Sequence, residues 1–332
     1  MIPNHHRRLM LQGALVAATS TALLARTASA QTLPDTARIL VGFPGGGAPD
    51  LVARRLAEQL TGKLAKAVIV DNRPGAGGRI AIDVARQATP DGTTLLLNPA
   101  GLLTINPHVY KKLNYDPFKD FTPLSLAAMI DFGFGIGSLV PAEVKTIADF
   151  VVWAKANPGK VSYGSPAAGA PPHFVGDAFN RTMGLGMTHV PYRGSGAALN
   201  DVLGGTLPAL VVTLGDLLVH AKSGKVRLLA CSGPARSKFA PTVPTFAEQK
   251  VAGLEQRDWF GIYIAGTPSA DVATRVSALV RTACSSAEYA SALASSGIEA
   301  AASTPAELDR LARTDLERWA PLVAASGFVA ES

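Results

Sequence analysis

The sequence has little charge, few aromatic residues and only two cysteines. Charged residues make up 17% of the 332 residues and aromatic residues 6%, against 48% hydrophobic residues. A chain this apolar is not intrinsically disordered, because disorder requires low hydrophobicity and high net charge. It also lacks an uninterrupted apolar run of about 18 residues, which predicts that the mature chain does not span a membrane. These counts indicate a large globular protein, long enough for two lobes.

No acidic residue occurs in residues 1–30, and this segment has the pattern of an export signal. Arg7 and Arg8 precede an apolar stretch that is followed by Ala28-Ser29-Ala30, a small-x-small cleavage motif. We therefore predict a signal peptide over 1–30 and a periplasmic mature protein. The arginine pair also fits a twin-arginine signal, so Sec and twin-arginine export both remain open.

The mature chain is only weakly basic. Removal of the three arginines of the signal leaves 28 basic and 25 acidic residues, a net charge of +3. Because no Lys/Arg cluster is interleaved with aromatic residues, we expect no nucleic-acid partner. Cys231 and Cys284 both stand in apolar segments. An oxidising compartment would permit a disulfide between them, and two buried free thiols are the alternative.

Short β-rich runs followed by glycine-rich loops and helices recur along the chain. The first block has strands over 38–43, 66–70 and 94–97, and a second block of the same kind follows a polar connection over 106–121. This alternation is typical of an α/β fold whose mainly parallel sheets are flanked by helices. Ligands of such folds bind at the carboxyl ends of the strands.

The glycine-rich loops favour a small anion over a nucleotide. The loop Gly45–Gly47 lacks the Lys-Ser/Thr end of a phosphate-binding loop, and Asp50 stands where a dinucleotide fingerprint has its third glycine. Loops that turn into helices present backbone N–H groups at the positive end of the helix dipole, which suits a carboxylate. Asp50 itself is interpreted as a helix N-terminal residue that accepts from N–H groups.

Candidate catalytic and metal sites are weak. The histidines and cysteines have no metal-ligand spacing, so we expect no metal and no cofactor. The alternative function is a secreted hydrolase with Ser165 or Ser195 as nucleophile. It would need His173 or His189 within hydrogen-bond distance of the serine hydroxyl, about 3.2 Å or less.

Six segments together resemble one family. They are Val41–Asp50, Asp71–Gly78, Pro90–Leu97, Tyr115–Phe121, His189–Ser195 and Pro241–Thr245. In this order and spacing they are similar to the solute-binding proteins of tripartite tricarboxylate transporters, the Bug or TctC family, over essentially the whole mature chain.

The resemblance implies a two-lobed periplasmic binding protein, a Venus flytrap, and no enzyme. We expect lobe 1 to comprise 31–101 and 225–332 and lobe 2 to comprise 102–224, with crossing strands near Gly101–Pro107 and Val219–Val226. The protein would act as a monomer that captures a small organic carboxylate and delivers it to a membrane permease. A sensor protein is the alternative partner.

The matching loops imply a set of ligand contacts made by backbone amides and hydroxyls. In lobe 1 these are Phe43, Gly46, Ala48, Asn98, Ala100 and Gly101. In lobe 2 they are Ser165, Ala168, Gly169, Ala170, Tyr192, Arg193, Gly194, Ser195 and Thr213. A bulky side chain at Gly169 is expected to narrow the approach to the ligand and to weaken binding without unfolding the protein.

Several positions depart from the family's usual pattern by exchanging a polar atom for an apolar one. Ala170 stands where a hydroxyl is common, Val212 where many members have Asp, and Ala48-Pro49 where a hydroxyl-bearing pair is usual. We therefore predict a ligand with one amide-bound carboxylate and a less polar distal part, such as an aromatic or longer-chain acid, rather than citrate.

Overall fold

Ten strands form two mixed sheets that share one long strand. The computed structural model describes residues 33–330, and the predicted export signal lies outside this range. The strands are β1 Thr36–Val41, β2 Ala67–Asn72, β3 Thr94–Pro99, β4 Phe121–Ile136, β5 Ser162–Ser165, β6 Thr188–Pro191, β7 Ala209–Thr213, β8 Arg227–Cys231, β9 Arg257–Ala265 and β10 Glu299–Ala300.

Helices cover the faces of both sheets. They are α1 Ala48–Leu60, α2 Arg79–Arg86, α3 Gly101–Thr104, α4 Asn106–Val109, α5 Ile147–Ala156, α6 Pro171–Met183, α7 Ser195–Leu203, α8 Leu214–Lys222, α9 Ala270–Cys284, α10 Ala287–Ala294 and α11 Pro305–Ser326. In α1, the residues Val52, Leu56 and Leu60 are buried, as their spacing predicts.

Strand β4 connects the two sheets. Its first part pairs with β9 and β10 and belongs to the first sheet, which also contains β1, β2 and β3. Its last part pairs with β7 and β8 and belongs to the second sheet, which also contains β5 and β6. The pairs β1–β2, β1–β3, β5–β6 and β5–β7 are parallel. The predicted two-lobed α/β fold with mixed sheets is thus confirmed.

Helix α11 packs on both sheets. Leu308 and Ala312 in its first half belong to a core cluster under the first sheet, together with Leu40, while Trp319 and Val323 in its second half belong to the core of the second sheet. In its middle, the carboxylate of Asp315 accepts from Trp259 Nε1 of β9 at 2.7 Å. One helix therefore links the two cores.

The predicted crossing strands near Gly101–Pro107 and Val219–Val226 are wrong. The first segment forms the short helices α3 and α4, and the second contains the end of α8. The chain passes between the two sheets along β4 and between β8 and β9 instead. The lobe limits of 31–101 and 225–332 against 102–224 remain a prediction.

Among residues 33–330, no helix is long and apolar enough to cross a membrane. Cys231 and Cys284 are both free and buried in this structure. Burial raises the pKa of the Cys284 thiol to about 12 and also raises that of Cys231.

Candidate functional site

The predicted contact residues lie at the carboxyl ends of strands in both sheets. The loops follow β1 and β3 in the first sheet, and β5, β6 and β7 in the second. The loops after β3 and β5 touch, since a Cβ on Gly101 would lie 3.4 Å from Pro171 Cδ. The topology thus brings strand ends of both sheets to a common region, as expected for a ligand cleft of an α/β fold.

A buried carboxylate fixes the loop after β1. Asp50 Oδ2 accepts from Gly46 N and from Arg54 Nε, each at 2.9 Å, and Oδ1 accepts from Asn72 Nδ2 at 3.0 Å. Burial alone would raise the pKa of Asp50, but these hydrogen bonds and the Arg54 charge outweigh it and lower the pKa. The predicted role of Asp50 as an acceptor for N–H groups is confirmed, and the Gly46 amide is already occupied.

Asn98 lies at the end of β3, beside Gly261 of β9. Its side chain is 0% exposed, and neither Nδ2 nor Oδ1 has a hydrogen-bond partner among the described residues. Ala100 is also buried, and its N–H donates to Trp259 O at 2.9 Å. Of the residues expected here, only Gly101 is partly exposed.

Two stacked histidines support the loop after β5. The rings of His173 and His189 lie 3.9 Å apart at 15°, and Ser165 Oγ lies 2.8 Å from His189 Nε2. His173 Nδ1 accepts from Gly169 N at 3.1 Å. Burial lowers the pKa of both histidines, and with the neighbouring His173 it brings that of His189 to about 3. Both rings are therefore neutral at physiological pH.

A residue from the carboxyl terminus packs on the same loop. Gly169 has φ of 75°, and a Cβ there would lie 2.8 Å from Cε1 of Phe328. The space beside Gly169 is thus filled by the protein itself. A bulky side chain at Gly169 would therefore collide with Phe328, rather than narrow the approach to the ligand as expected.

The two remaining loops of the second sheet are held mainly by internal hydrogen bonds. Gly194 N donates to Pro166 O at 2.9 Å, and the Tyr192 hydroxyl donates to Asp201 Oδ2 at 2.6 Å. Burial and the Asp201 carboxylate raise the pKa of Tyr192 to about 12. The Thr213 hydroxyl donates to Asp216. These two hydroxyls are already engaged within the protein.

The exposed polar groups of the second sheet cluster at the start of α7. Arg193 is exposed and makes no ion pair within residues 33–330, and Gly194 at the N-cap provides no side chain to bond the first N–H groups of the helix. Ser195 is half-buried at the first helical position, and the neighbouring Gly196 is exposed. A cation and free backbone N–H groups here face solvent together.

Ser165 and His189 meet the distance that a hydrolase would need, but the serine is buried. Ser165 is 0% exposed, and its Oγ also donates to Ala167 O at 3.1 Å. His189 Nε2 can donate to or accept from the Ser165 hydroxyl, depending on the tautomer of the ring. No carboxylate hydrogen-bonds to His189 among the described residues. The buried Ser165 hydroxyl is not open to a substrate in this structure.

No group of three or more His, Cys, Asp or Glu side chains in the described part of the chain is arranged to hold a metal ion. Five residues that hold the contact loops were not recognised in this role from the sequence: Asn72, Asp201, His173, His189 and Phe328. The two histidines were visible in the sequence, but only as candidate bases. No local pattern connects Phe328 with Gly169, because the two are far apart along the chain.

Comparison with known proteins gives consistent matches over almost the whole chain. The family described as the tripartite tricarboxylate transporter family receptor matches residues 52–328. A protein encoded in the tcbD-tcbE intergenic region of Pseudomonas sp. strain P51, assigned to UPF0065, is 31% identical over 327 residues, which cover 97% of this chain and 95% of that protein.

Two solved structures share the fold. Rpa4515 of R. palustris, solved with adipate, is 26% identical with a TM-score of 0.82, over 89% of this chain and 98% of that one. The periplasmic binding protein BugD is 26% identical with a TM-score of 0.80, over 90% and 99% of the two chains.

Proposed function

Since the chain belongs to the family of tripartite tricarboxylate transporter receptors, we propose that it captures a small organic carboxylate between its two lobes in the periplasm. It then presents this ligand to a membrane permease of that transporter type. The observation that carries the proposal is the convergence of strand-end loops from both sheets at the Gly101–Pro171 contact. A ligand held by both lobes favours the closed form, because it gains contacts with the second lobe only on closure.

The exposed groups around Arg193 support an anionic ligand. Arg193 makes no ion pair with any residue of 33–330, and the N-terminus of α7 offers unbonded N–H groups beside it. A guanidinium can bind a carboxylate through two parallel hydrogen bonds, and the helix dipole adds to the attraction. Arg193 is the only charged residue in the proposed contact set, so it is the position from which we expect the main electrostatic contribution.

The ligand we propose has one carboxylate and a less polar distal part. The hydroxyls of Ser165, Tyr192 and Thr213 are engaged in internal hydrogen bonds, which leaves few free polar side chains for a second or third carboxylate. The adipate bound to Rpa4515 has an apolar chain between its carboxylates, and it belongs in any panel of candidates. Citrate is expected to bind more weakly than the best aromatic or aliphatic monoacid.

A thermal-shift panel on the exported protein tests the proposal. Aromatic and aliphatic monoacids, adipate, malate and citrate are compared with neutral sugars and amino acids. A ligand at about 100 times its Kd stabilises the folded state by roughly 2.7 kcal/mol, which raises Tm by several degrees. Shifts confined to carboxylates support the receptor function, whereas a shift with neutral sugars alone would contradict it. Tighter binding of citrate than of every monoacid would overturn the proposed ligand class.

Arg193→Gln identifies the site within the molecule. This variant is expected to weaken binding of the best acid by about tenfold or more, since a charge-assisted hydrogen bond contributes roughly 1.5–3 kcal/mol. The matched control is Arg236→Gln, which removes an arginine that pairs with Glu248 on the surface. Equal Kd values for the two variants would place the ligand elsewhere.

A further inference from the structure

The carboxyl-terminal residues 327–330 meet the loop after β5, although no sequence pattern links the two. Helix α11 ends at Ser326 and is capped by Gly327, whose φ of 67° turns the chain. Phe328 N then donates to Ser326 Oγ at 3.0 Å, and Ala330 N donates to Val109 O of α4 at 2.9 Å. These bonds hold the segment, which we call the tail, against the second core.

The ring of Phe328 contacts two residues that define the conformation of this loop. It fills the space beside Gly169, where a Cβ would lie 2.8 Å from Cε1. It also meets the His173 ring edge-on, with centroids 5.2 Å apart at 82°. His173 in turn accepts the Gly169 N–H. The Gly169 peptide is therefore held on one side by the aromatic ring and through its N–H by the imidazole.

The tail is joined to the first sheet by α11. Leu308 and Ala312 pack under the first sheet, and Asp315 accepts from Trp259 Nε1 of β9. The helix then crosses to the second core, where Trp319 is buried. Because one helix contacts both cores, the tail at its end is placed relative to both sheets, and so is the loop after β5 that it contacts.

We propose that Phe328 is a positioning residue for ligand binding: it holds the Gly169 peptide and His173 so that the loop 165–170 is preformed for the ligand. The inference rests on the proposed receptor function. Phe328 itself need not touch the ligand. Its loss leaves the loop free to adopt other conformations, and ligand binding must then order it.

Phe328→Ala tests the proposal by two measurements. Amide hydrogen exchange at Gly169, measured without ligand, is expected to be faster by about tenfold, because local opening becomes easier. The Kd for the best carboxylate is expected to rise by about tenfold. Val329→Ala is the matched control, since Val329 is the next residue and is 56% exposed. It should change neither quantity.

Phe328→Leu should restore most of the affinity, since leucine keeps apolar bulk beside Gly169. If the alanine variant does not melt cooperatively, Phe328→Leu and Phe328→Val give the same comparison in a graded form. Unchanged exchange at Gly169 in Phe328→Ala overturns the proposal, and so does faster exchange with an unchanged Kd. In both cases carboxylate binding by the wild type would still support the receptor function. Absence of carboxylate binding in the wild type would instead refute the receptor function and this inference with it.

Discussion

The loop after β1 and the loop after β5 occupy equivalent places in the two sheets, but opposite chemistry holds them. In the first, an ionised carboxylate, Asp50, accepts three hydrogen bonds, from Gly46, Arg54 and Asn72. In the second, the supporting groups are the uncharged rings of His173, His189 and Phe328. Equivalent loops in one fold can therefore require an ionised group in one case and uncharged groups in the other. Asp50 and the histidines all act in their deprotonated forms, so acid weakens both loops, but over different pH ranges.

The two loops should consequently respond differently to pH. The pKa of Asp50 is lowered by its hydrogen bonds, so its stabilisation is present above its unfolded pKa of 3.8 and is lost only as pH falls through the still lower folded value. The pKa of His189 is lowered to about 3 by burial and by His173. Its stabilisation is complete above the unfolded value of 6.5 and is lost progressively between 6.5 and 3.

The largest effect is expected from Asp50→Ala. The variant leaves the N–H of Gly46 without its acceptor and removes one of the two acceptors of Asn72 Nδ2, which keeps its bond to Phe43 O. This should lower the free energy of unfolding by about 2–3 kcal/mol. Urea denaturation at pH 7 measures the loss. Asp50→Asn keeps the size of the side chain but not its charge, so its free energy of unfolding should lie between those of Asp50→Ala and the wild type. A loss below about 0.5 kcal/mol would show that the network does not stabilise the loop.

Next in size is the acid sensitivity of the second loop. Between pH 6.5 and 4.5 the unfolded chain binds a proton at position 189 that the folded chain excludes, so stability should fall by up to about 1.4 kcal/mol per pH unit. Urea denaturation across this range measures the slope. His189→Gln should have a shallower slope, whereas Asp50→Asn should not change the slope between pH 5 and 6.5. Parallel slopes for wild type and His189→Gln would contradict the assignment.

The sequence predicts the elements of this fold better than it predicts what joins them. The glycine-rich loops, the apolar spacing of α1 and most strands of the two blocks are evident from local patterns. The long strand β4 was missed, because none of its residues is exposed and its sequence shows no regular alternation of polar and apolar residues. The crossing segments were misassigned for the same reason, since the connection between the sheets is β4 itself.

The candidate site divides in the same way. The position of the contact loops at strand ends follows from α/β topology, and the role of Asp50 follows from its place at a helix start. The engaged hydroxyls of Tyr192 and Thr213, and the packing of Phe328 on Gly169, depend on contacts made only in the folded chain. Whether these loops bind a carboxylate remains a prediction.

A smaller effect is expected from Gly169→Ala. The substitution places a Cβ against Phe328 at a positive φ, which costs about 1–2 kcal/mol. In the double variant with Phe328→Ala the steric part of the cost disappears. The free energy of unfolding lost in the double variant should therefore be smaller than the sum of the losses in the two single variants. Urea denaturation of the four proteins in this cycle measures the coupling. Strict additivity would show that the ring does not restrict Gly169. The melt should remain cooperative in all four.

The smallest effects come from two matched ion pairs, one near each loop. Arg54 bonds Asp50 at 2.9 Å and Arg181 bonds Asp177 at 2.8 Å, both four residues apart on a helix. The Asp50 side chain is 4% exposed and that of Asp177 is 19% exposed. Because water screens exposed pairs, Arg54→Ala should lower Tm more than Arg181→Ala does. Equal shifts would mean that Asp50 depends on Gly46 and Asn72 rather than on the arginine, and that the contrast between the loops is one of hydrogen bonding and not of charge.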